Sequence, residues 1–351
     1  GKAGKDGGNI RTSQGQLTIT GGTISGGEAG GNGGNIYYTA TTASDSTKSY
    51  GEYMLQITGG TISGGKAAEL GGNIYAGGSN GNRTLNVGTG EAKTVIENGE
   101  ADATGGNICA ESIAANIGAN AEILNGVSNS ADYKGGGNIA FNSSKTLTTA
   151  GKIMGGRTTN AGGGGNISIM GGADMRVTGG VIANGRCEGT TGTSWGGNIR
   201  SYNTDLFIEG GLIYGGYCAK SESYNIGAMG EGTAYPKLYV TDGTIVGDIT
   251  ISAPAGDFKG TDVQLAGAAK ILNSYQLEDG STVHARANTL KLSALHDISG
   301  LNADARIVVK GNAGTVFTAP YTGEADLSQV FSSWDPRMTV EQTADGAFQL
   351  V

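Results

Sequence analysis

Proline occupies only 4 of the 351 positions, cysteine 3 and histidine 2. With so little proline and no three-residue period, the 67 glycines cannot belong to a collagen-like strand, so they are read as turn residues. Three cysteines cannot form a disulfide framework, which suits a bacterial exterior that does not rely on one. The two histidines, His284 and His296, have no serine or cysteine nucleophile motif nearby and read as ordinary strand or loop residues. No apolar run approaches the roughly 20 residues that cross a bilayer, and no charged and apolar leader precedes the first repeat. The 31 acidic and 23 basic side chains give a net charge of −8, which draws this surface to neither nucleic acid nor an anionic membrane.

What is present is repetition. The word Gly-Gly-Asn-Ile, clean or degenerate, places Asn before Ile at Asn9, Asn35, Asn73, Asn107, Asn138, Asn166, Asn198 and Asn225, at intervals of 26, 38, 34, 31, 28, 32 and 27 residues. A second word, Gly-Gly-Thr-Ile-Ser-Gly-Gly, alternates with it and places Ile24, Ile62, Ile96, Ile123, Ile153, Ile182, Ile213 and Ile245 before a glycine turn. Repeats of this length mean a solenoid, a propeller or an array. Between the glycines lie short alternating stretches such as Leu55-Gln56-Ile57 and Leu206-Phe207-Ile208, the period of half-buried strands. Three strands and three turns fill a repeat and leave too little chain for helices, so the expected fold is all-β, a single-stranded parallel β-helix. A solenoid grows by adding turns, so one long domain is expected. Its first Asn-Ile word, at residue 9, leaves almost no room for an end cap, and the chain reads as a monomeric segment of a longer one.

Aligning the repeats tests that fold. Two residues beyond the second glycine turn stand Ala29, Ala67, Ala101, Ser128, Thr158, Cys187 and Cys218, all small. Just before them stand Glu28, Lys66, Glu100, Val127, Arg157, Arg186 and Tyr217, long and mostly charged. Columns that differ so sharply belong to an in-register stack, one facing inward and the next facing water. The Asn column is expected to turn a tight corner in the left-handed region and to join amide to amide in a ladder. A structural ladder is preferred here over a ligand site.

Gly-Gly-Thr-Ile-Ser-Gly-Gly followed twelve residues later by Asn-Ile-Tyr resembles the repeats of right-handed parallel β-helix proteins of the pectate lyase-like superfamily. More narrowly, it looks like the repeats of long surface proteins of Gram-positive gut bacteria. The resemblance covers residues 7 to about 250. It implies that the β-helix is right-handed and the protein extracellular, secreted or tethered to a cell wall by further modules. After residue 250 the words stop. Residues 1–250 are read as the repeat-built helix, 251–323 as tighter continuing turns, and 324–351 as a cap. There Asp326 to Phe331 could form a short helix with Asp326 at its N-cap, and Phe331 and Trp334 would plug the last turn.

Chemistry is sparse. The segment from Gly60 to Ala67 fits the phosphate-loop spacing until its last place, where Ala67 stands instead of the Ser or Thr that holds magnesium, so no nucleotide is expected. No acidic column offers a metal site, and calcium at the Asp242 to Asp248 loop is the remaining candidate. No cofactor is assigned. Cys187 and Cys218, one turn apart, form either a disulfide within the distance window or, preferred, two stacked thiols acting as small hydrophobes. Cys109 is placed outward. A lyase would need clustered acids with a base, for which Asp174 with Arg176 and Asp205 with Arg200 are the candidates. A glycosidase would need two carboxylates facing across a groove. No catalytic residue is assigned, and the reading leans away from an enzyme.

Aromatic side chains argue for binding. Tyr37 and Tyr75 follow Asn-Ile words in consecutive repeats, and Trp195, Tyr202, Tyr214, Tyr217 and Tyr224 crowd the repeats around residue 200. Exposed rings on a rigid sheet suit a sugar face or a partner protein; equally, they could pair to stiffen adjacent strands. Insertions near 39–53 and 76–92 offer a second surface. The expected function is therefore an adhesin-like, non-catalytic segment that binds glycan or a host surface protein. The alternatives are a polysaccharide lyase or glycoside hydrolase, and a spacer stalk.

Overall fold

The computed structural model describes residues 1–351 apart from 14, 41–53, 79–82, 133, 161, 173, 191–195, 220–223, 231–235, 253–262, 286–289 and 292–296. Its strands stack in parallel into a β-solenoid of about seven turns, with no helix among the described residues. One turn shows the plan. Ile74–Gly78 forms the wall entered through Asn-Ile, Thr84–Val87 and Thr94–Glu97 form two legs of a broad wall, and Glu100–Ala101 forms a narrow third wall. The narrow wall is a fourth strand per turn, only two residues long. It follows the second glycine turn and was not expected as a strand.

The rows expected from the repeats are the core. Ile36, Ile74, Ile108, Ile139, Ile167, Ile199 and Ile226 are successive register partners along the Asn wall. Ile24 through Ile245 align the same way along the broad wall. From the second turn onward these isoleucines are buried in one continuous cluster, while Ile10 and Ile24 of the first turn are partly buried. The small column Ala29 to Cys218 is buried along the narrow wall. Its outer neighbours form an ion ladder, with Lys2 2.9 Å from Glu28 and Lys66 3.5 Å from Glu100. Exposed pairs of this kind contribute little. No disulfide joins Cys187 to Cys218; both are buried thiols in adjacent turns.

The Asn column forms the ladder. Each Nδ2 donates to the Oδ1 of the Asn one turn on, from Asn9 through Asn35, Asn73, Asn107, Asn138, Asn166 and Asn198 to Asn225, at 2.5–2.8 Å. The second Nδ2 hydrogen reaches a backbone carbonyl before the glycine turn, as from Asn138 to Met154 at 2.9 Å. Oδ1 also accepts a turn amide, as from Gly126 at 2.8 Å. A buried carboxamide with both donors and both acceptor sites used carries no desolvation deficit. The expected left-handed backbone is absent from these residues. Positive φ falls instead on the glycine two residues before the Asn in the first four turns, Gly7, Gly33, Gly71 and Gly105, at 67–73°, and one corner earlier on Gly26, Gly64, Asn98, Asn125, Gly155, Asn184 and Gly215, at 54–67°. The glycine after that corner is needed for space, since a Cβ on Gly126 would lie 2.3 Å from the Gly137 carbonyl oxygen.

Among the described residues the solenoid then narrows to one wall. The narrow wall ends at Tyr217–Cys218 and the Asn wall at Asp248–Ser252. The broad wall continues through Val263–Gly267, Lys270–Leu272, Asp297–Leu301 and Arg306–Lys310 to Phe331–Ser333. The helix expected from Asp326 does not form. Asp326 accepts the Ser328 amide at 2.9 Å in a turn, and Phe331 goes on to pair with Ile307. Six residues are too few to offset helix nucleation when a strand edge is waiting. Phe331 is a plug, 5.4 Å from Phe317 and 4.8 Å from Phe348 between ring centres. Trp334 is not part of it. It leaves the strand half-buried, with the Lys310 ammonium 5.9 Å from its ring.

Candidate binding groove and the aromatic rows

On the Asn wall the residue after each Ile faces outward. Register gives the row Arg11, Tyr37, Tyr75, Cys109, Ala140, Ser168, Arg200. It is large at both ends and small across three middle turns. Two residues on, a parallel row reads Gly77, Glu111, Asn142, Met170, Tyr202. The segments 102–104, 130–132 and 134, between the narrow wall and the Asn wall, lie beside the small stretch. Together they enclose an open groove of about 420 Å³ whose lining includes Cys109, Ala140, Ser168, Glu111, Asp132 and Lys134.

Neighbours hold the polar groups of the groove in place. The Tyr75 hydroxyl donates to Glu111 Oε2 at 2.7 Å. Ser130 Oγ and the Lys134 amide both donate to Asp132 Oδ1 at 2.9 Å, and Lys134 Nζ lies 3.7 Å from Asp132 Oδ2. Burial pushes the Tyr75 hydroxyl far above its ordinary range and Glu111 adds to the effect, so Tyr75 stays a donor at neutral pH. The Cys109 thiol is raised by the same two causes in the same order. It sits 3.6 Å from Thr104 Oγ1 and is 1% exposed. The outward placement expected for Cys109 is therefore corrected: its row faces out, but the flanking turns cover it. A buried thiol held protonated is part of the floor, not a nucleophile.

Of the two expected catalytic pairs, Asp174 and Arg176 come together and Asp205 and Arg200 do not. Arg176 lies 3.9 Å from Asp174, but it also pairs with Glu209 and stacks 4.0 Å over the Phe207 ring. Arg200 and Asp205 belong to different walls: Arg200 is buried against Ser168 Oγ at 3.4 Å, while Asp205 accepts the Lys237 amide at 2.8 Å. His284 is exposed in a hairpin and His296 lies outside the described residues. Asp242, offered for calcium, accepts the Ala268 amide at 3.1 Å. Among the described residues no group of three or more His, Cys, Asp and Glu could hold a metal.

The aromatic candidates mostly use up their faces within the protein. Tyr37 and Tyr75 stack at 5.2 Å with 11° between planes, and Arg11 lies 5.3 Å over Tyr37. Arg200 lies 5.3 Å over Tyr202, and Arg186 5.1 Å over Tyr217. Tyr214 is not exposed. It is buried with Ala183 and Val246, packed by Leu277 and Val283 around the antiparallel hairpin of Ser274–Gln276 and Thr282–His284. That burial raises its hydroxyl, with Asp279 adding to the rise. Trp195 lies outside the described residues, as does the side chain of Tyr224, whose backbone is in Tyr224–Met229. The first insertion falls largely on 41–53, outside them; of the second only 79–82 does, and the rest is the end of Ile74–Gly78, the broad-wall strand Thr84–Val87 and the turn after it.

Two features escaped the sequence reading. Arg176, Phe207 and Tyr239 form a stack on the broad wall, the two rings 4.5 Å apart and 2° from parallel. Aligning the position after each leading Leu or Met of that wall would have found it. The groove would have needed the small run Cys109, Ala140, Ser168 to be read as one row. No protein-family model, curated protein or solved structure matches this chain.

Proposed function

We propose that this chain is an adhesin-like, glycan-binding segment of an extracellular protein, secreted or anchored to a cell wall. The observation that carries this reading is the groove on the outer face of the Asn wall. Its floor is low and partly apolar across Cys109, Ala140 and Ser168, and its rim carries hydrogen-bonding groups at Asn142 and at Glu111 and Asp132, the last two fixed by neighbours. A flat ring needs such a floor, and sugar hydroxyls need such a rim. The strands supply the floor, Glu111 and Asn142, and the turn that carries Asp132 is tied by its own hydrogen bonds, which lowers the ordering cost of binding. The repeat words, which resemble those of β-helix proteins on the surface of Gram-positive gut bacteria, support the extracellular setting.

A glycan array paired with binding assays on host surface proteins tests the proposal, with Ala140→Leu as the control that fills the groove from its outward row. Retention on a glycan that is lost in Ala140→Leu supports the groove. Retention on a host protein that survives Ala140→Leu moves the function to another face, and no retention on either leaves the spacer role. A polysaccharide hydrolase or lyase is kept as a second reading because Glu111 and Asp132 line the same groove. Against it, Asp132 is already engaged by Ser130 and Lys134. Release of reducing or unsaturated sugar ends would establish it.

A further inference from the structure

From the charge and shape of this groove we infer that its ligand is an amino sugar carrying a free ammonium group, within a short saccharide; the inference rests on the glycan-binding reading. Asp102, Glu111 and Asp132 line the groove against the single cation Lys134. Lys134 lies 3.7 Å from Asp132 Oδ2 and offsets that one carboxylate, which leaves Asp102 and Glu111 in excess in the lining. The groove therefore keeps a negative excess within a protein whose net charge is −8. An anionic uronate chain would be repelled there, and a neutral saccharide would gain nothing from the charge.

Glu111 is the carboxylate best prepared to receive the cation. Tyr75 fixes Oε2, and no described residue donates to Oε1. The hydroxyl is itself held by its stack on Tyr37, so the carboxylate does not have to be ordered when the ligand arrives. The floor argues for a ring over an extended peptide. Cys109, Ala140 and Ser168 are register partners on three neighbouring strands, so the low stretch spans two inter-strand spacings, roughly 10 Å. In the same row Tyr75 precedes the low stretch and the buried Arg200 follows it. A peptide strand instead finds its partners along an open sheet edge, and here both edges of the strands under the groove are already paired.

The test is calorimetric titration of the intact chain with three probes of equal length: glucosamine oligomers with free amines, their N-acetylated counterparts, and oligolysine. The free-amine oligomer is expected to bind at least about tenfold more tightly than the acetylated one at low salt, the size of one charge-assisted hydrogen bond. That margin should shrink as salt rises and should disappear in Glu111→Gln. Melting curves confirm that the variant is folded, and Ala140→Leu, which leaves every charge in place, should weaken both sugars alike. Equal affinity for the two sugars, unchanged in Glu111→Gln, overturns the ammonium inference while the glycan reading stands. Tighter binding of oligolysine than of either sugar overturns the choice of ligand. Binding of none of the three by the folded chain overturns the ammonium inference and leaves the glycan reading to the array.

Discussion

The repeat-built body and the tail after residue 250 share one wall and almost nothing else. In the body, three walls close around paired isoleucine rows, and the corner between the narrow and Asn walls is filled by a fully satisfied row of buried amides. In the tail only the broad wall persists among the described residues, and its inner face is closed by side chains that do not repeat, chiefly Phe317, Phe331, Phe348 and Leu350. Repetition lets each turn borrow its neighbours' geometry, so a buried polar group is safe as long as the next turn repeats it. Where the repetition stops, only non-directional apolar packing remains able to close the end.

The sharpest way to break this contrast is Asn138→Leu. It strips partners from the Gly126 amide, the Met154 carbonyl, Asn107 Nδ2 and Asn166 Oδ1. With each buried orphan costing about 1–3 kcal/mol, a loss of about 4 kcal/mol or more is expected in urea unfolding. An unchanged melt would remove the ladder from the account. Phe331→Ala should cost about 3–4 kcal/mol but act locally. Hydrogen exchange should quicken in Arg306–Lys310 and Phe348–Leu350 while amides beside the Asn row stay protected. Equal loss of protection in both regions would mean that body and tail unfold together.

A finer comparison applies one chemical change to each region. Ile153→Ala in the body and Ile271→Ala in the tail remove equally buried side chains from the same wall. Both fall in the range of about 2–5 kcal/mol. The body variant is expected to be costlier by about 1 kcal/mol, because three closed walls relax less around a cavity. Equal costs would show that the missing walls do not matter. The smallest effect concerns Asp335, held down to about 2 by its hydrogen bonds to the Arg337 side chain and amide. A folded pKa below the ordinary 3.8 means that this contribution is full above pH 3.8 and fades as pH falls toward 2. Asp335→Asn should leave the neutral melt nearly unchanged and flatten the acid dependence of the tail between those limits, as followed by Trp334 fluorescence.

Much of the fold could be read from the chain because register in a stack is itself a repetition. Ile24 and Ile62 could be matched by eye, and so could Ala29 and Ala67, since whatever faces inward on one turn must face inward on the next. The narrow wall was harder, because Glu28–Ala29 and its successors are too short to show a period. The left-handed corner was misplaced by one step. Asn98, Asn125 and Asn184 alternate there with glycine, whereas the invariant Asn beside it serves hydrogen bonding. The outer faces were least legible. Whether Cys109 or Tyr214 meets water depends on turns and a hairpin that arrive from elsewhere in the chain, and no local pattern records them.

The amide row also has a direction. Every link donates toward the C-terminal turns, so the carbonyl oxygens all point back toward the first turn and the small dipoles add head to tail. The amide row thus has a negative head and a positive far end, independent of the charged side chains. At the head, the Asn9 Oδ1 that ends the row accepts from the Gly1 nitrogen at 2.6 Å.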